Sequence, residues 1–278
     1  MPPSLRSTQI ETYRQNGVLF PIQVLTPAEV HDARAQLEAI EEHLGGRPKA
    51  VDTHQLHLYF RWAYDLSTHP KVLDAVEGLL GPDLLVWATS VFTKYPRDDG
   101  FISWHQDATY WGLDSGNITT AWIALSESST ENGCMRVVEG SHKLPIQPHV
   151  DTYAENNLLS RGQEIAVKVD ENDATDLVLA PGEMSLHDVN IIHGSNPNPS
   201  EKKRIGFTVR YITPEVKQSG EQHPVILARG KDPHGHFPRW DTPPPADQDL
   251  EEALRTHAEA TRKHMEAVRK TKGAYEAD

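Results

Sequence analysis

The sequence predicts a mainly β fold, a cupin-like jelly roll with helices flanking it at the N- and C-terminal ends. Three observations predict it. Short segments rich in β-branched and aromatic residues fill the middle of the chain, Pro/Gly/Asn/Asp clusters separate them, and helical periodicity is confined to the two ends. No Ser/Gly linker divides the chain, so one domain over residues 1–278 is expected. It would comprise a helical N-terminal part over about 8–82, a jelly-roll core over about 83–213, and a C-terminal lid and helix over about 214–278.

In chain order, "LTPAEVHDARAQLEAIEEHLGG" opens with Thr26, Pro27 and Glu29, a capping box with proline at the first helical position. Val30, Ala33, Leu37 and Ile40 follow at helical spacing, and Gly45 ends the helix. A second helix runs from about Pro70 to Leu80 and stops at Gly81. Strands are then expected in "DLLVWATSVFTKYP", "TTAWIALSES", "CMRVVEGSH", "EIAVKV", "TDLVLAPGEMSLHD" and "RIGFTVRYI". "DLEEALRTHAEATRKHMEAVRKTKG" closes the chain as a charged amphipathic helix.

Charge and cysteine usage narrow the function. A net charge of −13 and a pI of about 5.6 argue against a nucleic-acid or anionic-membrane partner. The single cysteine, Cys134, excludes an intrachain disulfide framework, and its turn-like setting "ENGCM" reads as structural and inert. The first residues, "MPPSLRSTQIETYRQNG", lack an apolar core of signal-peptide length, and no later apolar run could span a bilayer. A cytoplasmic protein is expected.

"SWHQDATYWGL" carries the chemistry. If it is a strand, His105 and Asp107 project from one face, and an ionised carboxylate facing a barrel interior is costly unless paired or metal-bound. One imidazole and one carboxylate suit iron(II) but need a third ligand. Two histidines of "GEMSLHDVNIIHGSNPNPSEKKRIGF" compete for that place. His187, beside Asp188, reads as an ordinary satisfied histidine, whereas His193 precedes Gly194, which permits close backbone approach. His105, Asp107 and His193 would leave three positions open on the metal, and Arg204 on the next strand would clamp the far carboxylate of a bidentate co-substrate. Fifteen histidines make chance pairs easy, so the combination rather than the H-x-D alone carries the reading.

"FISWHQDATYWGL", "TAWIALSESSTENGCMRVVEGSHK" and "IIHGSNPNPSEKKRIGF" together resemble the phytanoyl-CoA dioxygenase family of Fe(II)/2-oxoglutarate-dependent oxygenases, over about residues 10–240. The resemblance implies a double-stranded β-helix core, iron held by His105, Asp107 and His193, and 2-oxoglutarate decarboxylated to succinate and carbon dioxide as O2 oxidises the substrate. Ascorbate would stimulate turnover. Arg204, eleven positions after His193, would clamp 2-oxoglutarate with help from Ser195; Trp122 and Thr89 would lie against it. Halogenating relatives replace the carboxylate by alanine or glycine. Asp107 is intact, so hydroxylation is expected.

The substrate reading is a small polar metabolite. The stretch "THQLHLYFRWAYDLSTHP" and the surrounding motifs look most like the bacterial 2-aminoethylphosphonate and trimethylammonioethylphosphonate hydroxylases. Trp62 and Tyr64, with Trp104, Tyr110 and Trp111, would cage an ammonium group, and Arg61, Lys94 or Arg210 would receive a phosphonate or carboxylate. Each aromatic also has a plain reading as core. No basic cluster suits the nucleotide phosphates of coenzyme A, which disfavours an acyl-CoA beside amino acids and natural products. "ILARGKDPHGHFPRW", with His234, His236 and Phe237, reads as a lid, a surface loop or a minor metal site. Two further classes stay open: a non-redox zinc or manganese enzyme on the same scaffold, and a binding module with a degenerate site.

Overall fold

Two antiparallel sheets with helices packed outside the larger one make up the computed structural model, which describes residues 5–114, 117–159, 163–166, 169–220 and 222–275, without the side chains of 163 and 265–275. The elements are α1 (Ser7–Asn16), β1 (Val18–Gln23), α2 (Pro27–His43), α3 (Arg61–Ser67), α4 (Pro70–Leu80), β2 (Leu84–Lys94), β3 (Ile102–His105), α5 (Ala108–Trp111) and β4 (Ile118–Ala124). They continue with β5 (Met135–Val138), β6 (His149–Asp151), β7 (Gln163–Ile165), β8 (Ala174–Leu177), β9 (Glu183–Asp188), β10 (His193–Ser195), β11 (Arg204–Ile212), β12 (Ile226–Arg229) and α6 (Leu250–Tyr275). The large sheet runs β1-β9-β4-β11-β2-β12, the smaller one β3-β10-β5-β8, and β6 and β7 form a separate ribbon. This is the expected mainly β jelly roll with helices at its flanks.

The capping box of α2 forms as its sequence predicts. Thr26 N donates to Glu29 Oε2 at 2.7 Å, Glu29 N donates to Thr26 Oγ1 at 3.3 Å, and Val30, Ala33, Leu37 and Ile40 are the buried face. The α4 helix stops at Gly81, whose φ of +92° suits glycine. On the six-stranded sheet, Ala121 and Ile123 of β4, Met184 and Leu186 of β9, and Ile205, Phe207 and Val209 of β11 join one core with α2, α3 and α4. Apolar residues therefore occupy every second position and face the helices, while the intervening residues, several of them polar, face the other sheet.

Two boundaries differ from the sequence reading. The N-terminal part is not purely helical: β1 pairs with β9 and forms one edge of the large sheet. The C-terminal part likewise supplies β12, which pairs with β2 at the opposite edge. Both strands are short and carry irregular register, so neither shows a clean alternating pattern. Among the described residues, no helix is long and apolar enough to cross a membrane.

Candidate active site

His105 closes β3 and His193 opens β10, and the two are register partners across the smaller sheet, with ring centroids 4.1 Å apart. This approach depends on Gly194: a Cβ there would lie 2.9 Å from the Ile102 carbonyl oxygen. Asp107 arrives differently from the expectation. The strand ends at His105, and Asp107 has helical φ and ψ of −59° and −38° just before α5. The chain turns inward, so a bend rather than strand alternation brings the carboxylate beside the imidazole. Asp107 Oδ1 lies 3.4 Å from His105 Nε2, and one candidate ligand atom from each of His105, Asp107 and His193 falls within 4.8 Å of the others.

The backbone fixes both ring orientations. His105 Nδ1 donates to the Ser103 carbonyl at 2.9 Å, and His193 Nδ1 donates to the Ile191 carbonyl at 3.1 Å. Each ring thus directs Nε2 into the site as the atom available to a metal, the usual arrangement of a ligating histidine. Burial lowers the His193 pKa to about 3, so the ring stays neutral. Burial would raise the Asp107 pKa, but the His105 hydrogen bond and the nearby His193, His105 and Arg210 outweigh it and hold the carboxyl well below its usual range. Two imidazoles presenting Nε2 and an ionised carboxylate fit a first-row divalent metal with open positions.

A cavity of about 450 Å³ opens over these residues, of the size that small-molecule sites use. Arg204 lines it at 1% exposure. Its Nε and Nη2 have no hydrogen-bond partner, and its guanidinium lies 5.3 Å from the Trp122 ring centroid. Burial lowers its pKa to about 10, which leaves it charged at neutral pH. Among the described residues no carboxylate forms an ion pair with it. Gly206 makes room for the indole: a Cβ there would run into Trp122 Cζ2. Ser195 also lines the cavity, and its hydroxyl accepts from Lys94 Nζ at 2.6 Å. Lys94 further donates to the carbonyls of Asn196 and Gly133, and burial lowers its pKa to about 6.

The other expected residues divide. Tyr110, Trp111 and Arg210 line the cavity, with Arg210 stacked 5.2 Å from the Trp111 ring centroid. Thr89 does not line it: its hydroxyl bonds His57 Nδ1 at 2.9 Å, and the neighbouring Ser90 takes the inward place. Lys94 reaches the cavity only through Ser195. Arg61 and Trp62 border a separate cavity of about 480 Å³ between α2, α3 and the start of α6. There Arg61 pairs with Asp65 at 2.7 Å, while Trp62 packs on Phe207 and Tyr64 packs against the helix-side core. These three belong to α3, on the outer face of the large sheet, so they cannot cage a ligand at the triad. Trp104 faces Arg136, its ring centroid 5.6 Å from that guanidinium.

His187 departs from its reading as a satisfied histidine. It lines the cavity at 2% exposure, its ring is 5.1 Å from that of His193, and its Nδ1 has no partner. The alternation in "EMSLHD" carries the signal: Met184 and Leu186 face the core, so Ser185 and His187 face inward. None of residues 228–240 lines the cavity; Thr261 and His264 of α6 do. His234 and His236 stack on each other at 5.3 Å, and Phe237 is buried in a satellite core. Cys134 is buried, and burial pushes its thiol up to about 11, in keeping with an inert residue.

A jelly roll that gathers two histidines and a carboxylate beside a buried arginine defines the class of non-haem iron(II)/2-oxoglutarate oxygenases. The chain belongs to the phytanoyl-CoA dioxygenase family, whose model matches residues 13–206. It is 29% identical over 164 residues to a probable alpha-ketoglutarate-dependent hypophosphite dioxygenase of Stutzerimonas stutzeri, covering 58% of this chain and 56% of that one. It is 33% identical over 151 residues to the peroxisomal phytanoyl-CoA dioxygenase of Bos taurus, covering 52% and 44%. The chain thus spans about half the length of these curated relatives. Among solved structures, apo ThoJ, a non-heme monooxygenase, superposes with a TM-score of 0.80 at 33% identity over 96% of this chain and 99% of that one.

Proposed function

We propose that this chain is an Fe(II)- and 2-oxoglutarate-dependent hydroxylase of a small polar metabolite. The observation that carries this reading is the convergence of His105, Asp107 and His193, both histidines presenting Nε2, in one cavity with the partnerless guanidinium of Arg204. In the balanced reaction, substrate, O2 and 2-oxoglutarate give hydroxylated substrate, succinate and carbon dioxide. His105, Asp107 and His193 hold the iron. Bound iron with the keto acid supplies oxygen activation.

The chain's own residues orient and exclude. Arg204 grips the far carboxylate of 2-oxoglutarate, the Ser195 hydroxyl is fixed beside it by Lys94, and the Trp122 ring limits the acid's freedom. Tyr110 and Trp111 wall off the metal side of the cavity from water. For the substrate, 2-aminoethylphosphonate is the first compound to try. Its anionic end has a receptor in Arg210; the expected aromatic cage for its ammonium end is not assembled, which moves the emphasis to the acid.

Turnover tests this reading. With iron(II), ascorbate, O2 and 2-oxoglutarate, 2-aminoethylphosphonate should gain one oxygen atom while succinate forms in equal amount. Succinate formation that survives alanine at His105 or Asp107 would overturn the ligand assignment. Activity that needs zinc or manganese and no 2-oxoglutarate would replace the oxygenase reading by that of a non-redox metal enzyme.

A further inference from the structure

Arg210, Thr120 and His187 stand in one row across three adjacent strands. Arg210 of β11 is the register partner of Thr120 on β4, and Thr120 is the register partner of His187 on β9. All three line the cavity of the triad. Each also carries a buried polar atom with no hydrogen-bond partner: Arg210 Nε, Thr120 Oγ1 and His187 Nδ1. Neighbouring strands are roughly 5 Å apart, so the row presents three groups able to donate over about 10 Å. Buried polar groups are ordinarily paired, and three adjacent exceptions on one wall call for a common partner.

The charge balance says what that partner is. The row contains no carboxylate, and among the described residues none lies within ion-pair distance of Arg210. Its Nη1 donates to the Ser90 hydroxyl at 2.9 Å, a neutral contact, and its guanidinium rests on Trp111. Asp107 is close enough to interact electrostatically, but on the oxygenase reading that carboxylate is committed to the metal. A buried guanidinium left without a counter-charge is costly, and an incoming oxyanion removes the cost.

Arg204 and Arg210 lie six residues apart on the same face of β11, roughly 20 Å along the strand between their Cα atoms. The cavity therefore has two anion receptors, one toward each end. We infer that the Arg210–Thr120–His187 row is the receptor for the acid group of the primary substrate, an oxyanion of phosphonate or carboxylate type. This inference rests on the oxygenase reading in giving Arg204 to 2-oxoglutarate and Asp107 to the metal. It excludes substrates that are purely cationic or purely apolar at this end.

The test is calorimetric titration of the anaerobic protein loaded with iron(II), using methylphosphonate and 2-oxoglutarate as separate probes. Methylphosphonate should bind the 2-oxoglutarate-loaded protein. Arg210→Gln should weaken it by about tenfold to a hundredfold, the effect of losing a charged hydrogen-bond partner, while 2-oxoglutarate affinity stays within about twofold. Thr120→Val and His187→Phe should each weaken methylphosphonate by about threefold to tenfold, again sparing 2-oxoglutarate. Arg204→Gln should show the reverse pattern. Arg210→Lys, which keeps the charge, should retain part of the affinity and guards against misfolding of the glutamine variant. Tetramethylammonium should not bind at the row.

Two outcomes would overturn the inference. Methylphosphonate failing to bind the wild-type protein is one. Arg210→Gln weakening 2-oxoglutarate instead is the other, because the row would then serve the keto acid's second carboxylate. If 2-oxoglutarate does not bind the wild type at all, the oxygenase reading fails, and methylphosphonate titration of the unloaded protein still decides the row.

Discussion

His105 and His193 face each other as paired residues of neighbouring strands, each with its Nδ1 tied to a carbonyl two residues earlier in its own chain segment. The pair is therefore preset for a metal by backbone geometry alone, and Asp107 completes the set. Alanine at His193 or Asp107 should lower iron(II) affinity by more than about a hundredfold, since even outer-shell losses cost ten- to a hundredfold. Metal content after anaerobic iron loading and gel filtration reads this directly, with unchanged circular dichroism as the folding control.

Gly206 makes room for the indole that stands beside Arg204, the guanidinium proposed to hold 2-oxoglutarate. Gly206→Ala would push a methyl group into the Trp122 indole and displace the ring that lies beside the Arg204 guanidinium. Overpacking of this kind costs about 1–3 kcal/mol. The expected result is a lower melting temperature with weaker 2-oxoglutarate binding, whereas an enlarged space at position 122, in a Gly206→Ala/Trp122→Phe double variant, should recover part of the stability.

Lys94 predicts a proton count. Its amine is fully buried, next to Arg204 in register across β2 and β11, and burial brings its pKa down to about 6. A carboxylate arriving between Arg204 and Ser195 adds a negative charge nearby and raises that pKa. At pH 7, 2-oxoglutarate binding should therefore take up a fraction of a proton, seen as a dependence of binding enthalpy on the ionisation enthalpy of the buffer. Lys94→Met should abolish the uptake and weaken binding by about tenfold through the loss of the Ser195 contact.

Acid should destabilise the metal-free protein early. His57, His187 and His193 are buried, with pKa values lowered to about 3, 4 and 3 from an ordinary value of 6.5. Below pH 6.5 the unfolded chain binds protons that the folded chain refuses, so stability falls as pH drops from 6.5 toward 4. Each histidine contributes about 2 kcal/mol of loss between pH 7 and pH 5. A melting temperature that stays constant between pH 7 and pH 5 would contradict the buried neutral state of these rings.

Much of the architecture was legible because burial writes itself into alternation. On β11, Ile205, Phe207 and Val209 mark the helix side, and Arg204, Thr208 and Arg210 mark the interior. The α2 and α4 helices announced their starts and stops through Thr26, Pro27, Glu29, Pro70 and Gly81. What was not legible were contacts between distant segments. Nothing local in Val18–Gln23 says that it extends a sheet 160 residues later in the chain. Arg61, Trp62 and Tyr64 sit on a short helix whose side of the sheet depends on packing, and their chemistry alone suggested a ligand. His187 showed the opposite error: its strand pattern pointed inward, but a neighbouring aspartate offered a simpler partner that the folded chain does not use.

The site is divided between the two sheets. His105 and His193 ride on the four-stranded sheet, and Arg204, Trp122, Thr120, His187 and Arg210 ride on the six-stranded one. The distance from the histidine pair to the Arg204 guanidinium is consequently set by the spacing of the sandwich itself, held by apolar contacts such as Val18, Ala124, Met135, Val137 and Ile191. A methyl group added or removed among them alters the reach across the gap, so reactivity here acts as a gauge of how tightly the two halves of the barrel close.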